Sequence, residues 1–358
     1  MLDTAVRPVP VPKDIAGVDA AWLTQALQGA FPGIEVERAE VVKNFGGAST
    51  KLRVELQTNR PDFPPTVVVK GCFEPHSKTM RAVQLLEVQA YTGLVGELGV
   101  ETIGVFFGGL DEEGWGALIM EDLDLRGVTC LRAVEPIASF ETAAAFLDET
   151  ARIHARWWGA PELADEGAFG WLAGPRDVAQ GLWRDILLDE ARFAERLGRP
   201  RMQAISTKLR DRHRLLAAND AVFANPHGFP LVMVHGDMHP ANLYLTSEGR
   251  PGFLDWIPRR STWAQDVNYF IVGGLDPTDR RSWERALLQH YRDRLIAYGV
   301  TPPDYETAWL AHRQYTAWGA LTWFLNTTDY HTETMITAMA HRFGAAMTDH
   351  DTLGLLGL

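Results

Sequence analysis

Asp237, Asn242 and Asp255 fall on two short apolar stretches, Val234-His235-Gly236-Asp237-Met238-His239-Pro240-Ala241-Asn242 and Phe253-Leu254-Asp255-Trp256. The turn-like run Thr246-Ser247-Glu248-Gly249-Arg250 joins them. Phosphoryl transfer from ATP requires such a set: one base to orient a hydroxyl, and two hard oxygen ligands for a magnesium ion. Asp237 is read as the base, and Asn242 and Asp255 as the metal ligands. His235 and His239 brace the loop by hydrogen bonding. The competing structural reading is a His-Asp cluster that does nothing but hold its own backbone.

Four upstream features gain meaning from that loop. In Asn44-Phe45-Gly46-Gly47-Ala48-Ser49-Thr50, between two expected strands, Gly46 and Gly47 permit close backbone approach and Ser49 offers a donor to phosphate oxygens. An ordinary hairpin also uses Gly-Gly. Lys70 ends the apolar run Val67-Val68-Val69; a lysine there either snorkels to solvent or meets a phosphate. On the following helix Val83, Leu86, Ala90 and Leu94 make one stripe with Glu87 beside its centre. A carboxylate at such an edge needs a partner, and Lys70 is the natural one, with Glu97 and Glu101 as fallbacks. Glu121-Asp122-Leu123 follows an apolar strand and reads as a hinge offering backbone groups of Glu121 and Leu123 to an adenine ring. The plain alternative is a linker.

Stepping outward, strands are expected at 34–42, 52–57, 66–72, 102–107 and 115–120, with a helix capped by Asp19 and a long helix over 76–98. Beyond Asp124 the pattern turns helical at 136–158, 176–197 and 202–218, is interrupted by strands at 231–255, and returns to helix from Thr262. The expected domains are a sheet-bearing lobe over 1–123, a hinge about 121–127, and a larger helical lobe over 124–358, an α+β arrangement.

The 358 residues suit one large or two moderate domains, with 46% hydrophobic and 22% charged residues. A net charge of −12 excludes the basic excess a nucleic-acid binder uses. Cys72 and Cys130 lack disulfide or zinc spacing. Residues 1–12 lack the basic and apolar segments of a signal peptide, and no apolar run spans a bilayer. The expectation is a cytoplasmic protein with no membrane or nucleic-acid partner.

In order and type these residues resemble the aminoglycoside phosphotransferase and choline kinase superfamily of small-molecule kinases. The 235–242 segment resembles its catalytic loop, and Asp255-Trp256 its metal-binding step. Lys70, Glu87 and the Glu121-Asp122-Leu123 hinge fall in the family's order. His154, in Ala151-Arg152-Ile153-His154-Ala155, resembles a histidine packed near that loop, and Asp266 a downstream aspartate supporting it. The resemblance implies a two-lobed protein-kinase-like fold with a small antiparallel-sheet N-lobe and one long helix. It implies ATP (GTP possible) and Mg²⁺ as cofactors, and a small-molecule hydroxyl as acceptor. Two features depart from the pattern: the glycine loop has only one Gly pair, and Ile257-Pro258-Arg259-Arg260-Ser261 is unusually basic. Arg259 and Arg260 are read as solvent-exposed, with contact to an anion as the alternative. No protein-kinase activation segment follows Asp255.

Two other functions compete. One is a nucleotide-binding pseudokinase without turnover. The other is a metallohydrolase using His154, His235, Asp237 and His239. An aromatic acceptor wall is sought among Trp157, Trp158, Trp318, Trp323 and Tyr330, with Asp329 available to a substrate amine.

Overall fold

The computed structural model describes residues 7–8 and 10–358, so most of the N-terminal segment read against a signal peptide lies outside it. The chain forms two compact units. The first runs to Thr129 and takes in two later segments, Leu245–Ile257 and Asp329–His331. The second comprises Cys130–Tyr244, Pro258–Thr328 and Thr332–Leu358. Asp255 therefore belongs to the first unit, though it is read from the chain order as part of the helical lobe.

The first unit is built on strands β1 (Arg7–Pro8), β2 (Val36–Asn44), β3 (Thr50–Thr58), β4 (Thr66–Gly71), β5 (Glu101–Thr102), β6 (Val105–Leu110) and β7 (Gly116–Glu121). Five of them form an antiparallel sheet in the order β6-β7-β4-β3-β2, and β1 adds to β6 in parallel. Helix α1 (Ala20–Leu27) starts where Asp19 accepts from the Trp22 amide at 2.8 Å. Its Trp22, Leu23 and Leu27 pack with Leu52, Val54, Val67, Val69 and Ile119 into one core.

The expected long helix over 76–98 is shorter: α2 spans Arg81–Gly93, with 3-10 turns at Ser77–Met80 and Val95–Glu97. Its buried face carries Gln84, Glu87, Val88 and Tyr91, so Glu87 sits within the face rather than at its edge.

In the second unit a short strand β8 (Thr129–Cys130, beginning at the unit's edge) precedes α3 (Phe140–Arg156), which Ser139 caps through the Thr142 amide. The helix expected over 176–197 is three pieces: α4 (Pro175–Ala179), α5 (Leu182–Leu188) and α6 (Glu190–Leu197). Gly181 and Asp189 take extended N-cap conformations that break the run, and Asp189 accepts from the Ala191 and Arg192 amides. The helix expected over 202–218 gives way to 3-10 turns at Pro200–Ala204 and Thr207–Leu209. Asp211 then caps α7 (Arg212–Phe223) through the Arg214 amide.

Strand β9 (Val232–Val234) leads into the motif loop, followed by β10 (Leu243–Leu245), β11 (Pro251–Phe253) in the first unit, and β12 (Arg259–Ser261). β12 runs antiparallel to β9, with Arg259 opposite Val234. Helices α8 (Ala264–Gly274), α9 (Pro277–Ala297), α10 (Tyr305–Phe324), α11 (Glu333–Asp349) and α12 (Thr352–Leu355) complete the unit. α8 is buried along its whole length and packs on α10, while α3 packs on α9. A helix with no exposed face is a core element, and it anchors the loop described next.

Candidate active site

The motif loop in the second unit is held by its backbone. Asp266, in the first turn of α8, accepts from the His235 amide at 2.5 Å and from the Gly236 amide at 3.1 Å. Charge-assisted bonds of this kind are about twice as strong as neutral ones. Gly236 has φ +87°, where a Cβ is strongly disfavoured. Beyond it the Asn242 side-chain Nδ2 donates to the Asp237 carbonyl at 2.9 Å and to Asp237 Oδ2 at 3.1 Å. His239 Nε2 stands 3.5 Å from the same carboxylate. Asp237 is thereby fixed at one oxygen by Asn242, whose carboxamide oxygen is a hard donor of the type divalent cations take.

His154 donates to or accepts from the Tyr291 hydroxyl at 2.7 Å, with its other nitrogen 3.5 Å from Asp266. It braces the residue that braces the loop. His154, His235, Asp237 and His239 are not gathered as a metal site. Among the described residues the His and carboxylate group compact enough to hold an ion is Glu284, His312 and His350, on other helices. There Arg280 already places its guanidinium 2.8 Å from Glu284, so the cluster carries its own cation.

In the first unit Lys70, 4% exposed, bonds Glu87 at 2.5 Å and Asp255 at 3.2 Å. Burial alone would lower the ammonium's pKa, but Asp255 and Glu87 more than offset it and raise it. Glu97 is exposed and Glu101 pairs with Arg126, so neither replaces Glu87. The sequence reading missed Lys51, the first residue after Thr50 on the glycine hairpin, whose ammonium lies 2.5 Å from Asp255. Nothing local marks it in the sequence, where the strand is expected to begin at Leu52; the β3–β4 register sets Lys51 opposite Lys70.

Burial would raise the Asp255 carboxyl, yet Lys51 and Lys70 hold it well below the usual carboxylate range. Asp255 is in the left-handed region at φ +52°, and its amide donates to the Tyr91 hydroxyl at 3.1 Å. Non-glycine residues pay for that conformation, and they tend to do so at functional sites. Tyr91 lies one turn after Glu87, so a single helix face serves both. Trp256 is fully buried and donates to Thr102 at 3.2 Å, pinning the other side of the step.

Gly46 and Gly47 take φ +67° and +106°, with the Gly46 amide on Asn44 Oδ1 and the Gly47 carbonyl against His76. Ser49 is buried, and Thr50 bonds Ser77. At the expected hinge the Glu121 amide is already spent on the Gly104 carbonyl at 2.9 Å. The Glu121 carboxylate takes Gly104 and Arg126, and Leu123 is buried. Asp122 is tied to Arg53 and Thr66.

Of the aromatic residues sought for an acceptor wall, Trp323 touches the loop and Trp318 touches the neighbouring strand β12. Trp323 meets His239 edge to face at 5.5 Å, and Trp318 lies under the Arg259 guanidinium at 5.6 Å. Trp157 packs in the core against Phe169, and Tyr330 and Asp329 belong to the first unit. Tyr269, which the sequence reading passed over, is buried near Asp237; burial first, then that carboxylate, push its hydroxyl pKa well up. The solvent-exposed reading of both arginines fails. Arg260 is 7% exposed and donates to Leu172, Leu163 and Asp165, and Arg259 is partly buried beside Asp237.

An α+β chain with this antiparallel sheet and these helices has the protein-kinase-like fold. The sequence profile of the phosphotransferase enzyme family matches residues 4–308, and the chain belongs to that family, whose members transfer phosphate to hydroxyl acceptors. No curated protein matches it. Among solved structures it is similar to choline kinase LicA from Streptococcus pneumoniae, at 13% identity, 92% and 98% coverage of the two chains, and TM-score 0.50. It is similar to a macrolide 2'-phosphotransferase type I, at 17% identity, 90% and 97% coverage, and TM-score 0.50. A third likeness is to APH(2")-IIIa solved with GDP and kanamycin, at 12% identity, 84% and 89% coverage, and TM-score 0.50. At such identities the likeness establishes the fold alone. No helix among the described residues is long and apolar enough to cross a membrane.

Proposed function

We propose that this chain transfers the γ-phosphate of ATP, with GTP as the alternative donor, to a hydroxyl of a small molecule. The observation that carries the reading is the Lys70 bridge between Glu87 and Asp255. It ties a buried ammonium suited to phosphates to the carboxylate suited to their counter-ion.

In this reading Lys70 engages the phosphates and Glu87 keeps it in place, while Gly46, Gly47 and Ser49 close over them. Backbone around Leu123 meets the base of the nucleotide; Glu121 contributes through groups other than its amide. Asp237 orients the acceptor hydroxyl and takes its proton, and its second oxygen is steadied by Asn242. Asp255 in the first unit and the Asn242 carboxamide oxygen in the second are each hard oxygen donors of the kind magnesium takes, and each would serve as a ligand in this reading. Magnesium, when bound, neutralises charge on the phosphates.

The names of the structural relatives cover choline, macrolides and an aminoglycoside, so the fold does not select the acceptor. The test is an ADP- and GDP-release screen over hydroxylated small molecules with magnesium present. Turnover with at least one acceptor, absent from Asp237→Ala, is the expected result. Nucleotide binding with no turnover across the screen would instead mark a pseudokinase.

A further inference from the structure

Arg259 and Arg260 are neighbours on β12 and point to opposite faces, as successive strand residues must. Arg260 is fully satisfied, donating to Leu172 O at 2.8 Å, Leu163 O at 3.0 Å and Asp165 at 2.6 Å. Arg259 is not. Its backbone is set by the register with Val234, directly before the motif loop, and its guanidinium rests on Trp318. Its Nη1 is sealed from solvent with no hydrogen-bond partner, and among the described residues the group forms no ion pair.

The carboxylates near it are committed elsewhere. Asp266 spends both oxygens on the His235 and Gly236 amides, and Asp237 Oδ2 is shared by Asn242 and His239. A guanidinium nitrogen buried without an acceptor, as Arg259 Nη1 is, is costly unless something supplies one. Consistent with that deficit, burial lowers the Arg259 pKa despite Asp237, Asp266 and Tyr269.

We infer that Arg259 recognises an anionic group on the acceptor, so that the substrate is a hydroxylated small-molecule oxyanion, such as a hydroxy-carboxylate, and not a polycation. The inference rests on the reading of Asp237 as the base, because Arg259 would place the reacting hydroxyl at that residue. The guanidinium fork matches a carboxylate or phosphate through two parallel bonds, and the group lies over the Trp318 ring. An ammonium-bearing acceptor would meet a like charge there. The nucleotide phosphates offer the same chemistry, but the cations suited to them, Lys51 and Lys70, are gathered on Asp255 in the first unit. Arg259 stands in the unit of the base.

The test uses matched pairs: gluconate against sorbitol, glycerate against glycerol, and hydroxy-carboxylates against their methyl esters. Binding is measured by calorimetry and turnover by nucleotide diphosphate release, for wild type, Arg259→Met and Arg259→Lys. Wild type is expected to prefer the anion of a pair by roughly 10-fold or more, as for a charge-assisted bond. Arg259→Met, folded by circular dichroism, should lose that preference with the KM for ATP unchanged, and Arg259→Lys should recover part of it. Anion binding without turnover would retain the inference while defeating the kinase reading. No Arg259-dependent anion binding across the pairs overturns the inference even if neutral acceptors turn over. A raised KM for ATP with acceptor preference intact assigns Arg259 to the nucleotide and also overturns it.

Discussion

Lys51 and Lys70 face one another across the β3–β4 ladder and close on one carboxylate, Asp255, at 2.5 and 3.2 Å. Lys70 also serves Glu87, at 2.5 Å, so Lys51 is the cation that rests on Asp255 alone. In the proposed reading a metal ion on Asp255 would free Lys51 for a phosphate. Lys51→Met should therefore raise the KM for ATP by about 10-fold, the worth of one charge-assisted bond, with a smaller change in kcat. Lys51→Arg should restore most of it. Steady-state kinetics decide, and an unchanged KM would remove Lys51 from the site.

Glu87 is 1% exposed and holds Lys70. Replacing it with Ala leaves a buried ammonium with Asp255 alone, and breaking a buried pair costs about 3–5 kcal/mol. Urea denaturation of Glu87→Ala should show a loss of that order. A loss below about 1 kcal/mol, the range of surface pairs, would show that the Lys70–Glu87 bridge does not hold this part of the unit together.

The sequence made this much legible because the residues share simple periodicities. The apolar Val67–Val69 run points to Lys70, and the helical stripe of Val83, Leu86, Ala90 and Leu94 sets Glu87 beside it. The loop from His235 to Asn242 was visible because three oxygen-bearing types crowd a short strand pair. What stayed hidden depends on tertiary context. Arg259 and Arg260 look like a solvated basic run until β12 pairs with β9. The return of Leu245–Ile257 to the first unit is a topological fact without a local signature. The breaks at Gly181 and Asp189 lie inside a helical composition, and only the N-cap bonds reveal them.

Asp266 carries the motif loop through two backbone amides. Asp266→Ala should lower kcat by at least about 10-fold through loss of bonds worth roughly 1.5–3 kcal/mol each, while nucleotide affinity changes little. Nucleotide titration beside single-turnover rates separates the two. Equal losses in both would show that Asp266 supports the fold generally and not the loop.

His312 is fully buried, and burial lowers its pKa, with Glu284 opposing and His350 and Arg280 reinforcing the shift. In the unfolded chain the imidazole titrates at about 6.5. As pH falls below that value the unfolded state binds a proton that the folded state does not, so stability is lost. The urea midpoint should fall between about pH 7.5 and pH 5.5, and His312→Gln should flatten that fall. A variant with the wild-type slope would place the titration elsewhere.

Cys72 is buried, and burial with Glu87 nearby pushes its thiol up to about 11, Lys70 opposing, whereas Cys130 is exposed. Thiolate is the reactive species. One thiol should react with a disulfide reagent in the native protein and the second only on unfolding. Rapid native reaction at both positions would contradict the burial of Cys72.

The central claim is that Asp237 is the base of a phosphotransferase, fixed by Asn242 and the Asp266-held loop. Rapid-quench single-turnover measurement of Asp237→Ala against wild type, with a turned-over acceptor from the screen, tests it most directly. The account predicts a fall in the transfer rate of about 10²–10⁴-fold, with ATP affinity within a few-fold of wild type. Transfer at the wild-type rate by a folded, nucleotide-binding Asp237→Ala protein would contradict it.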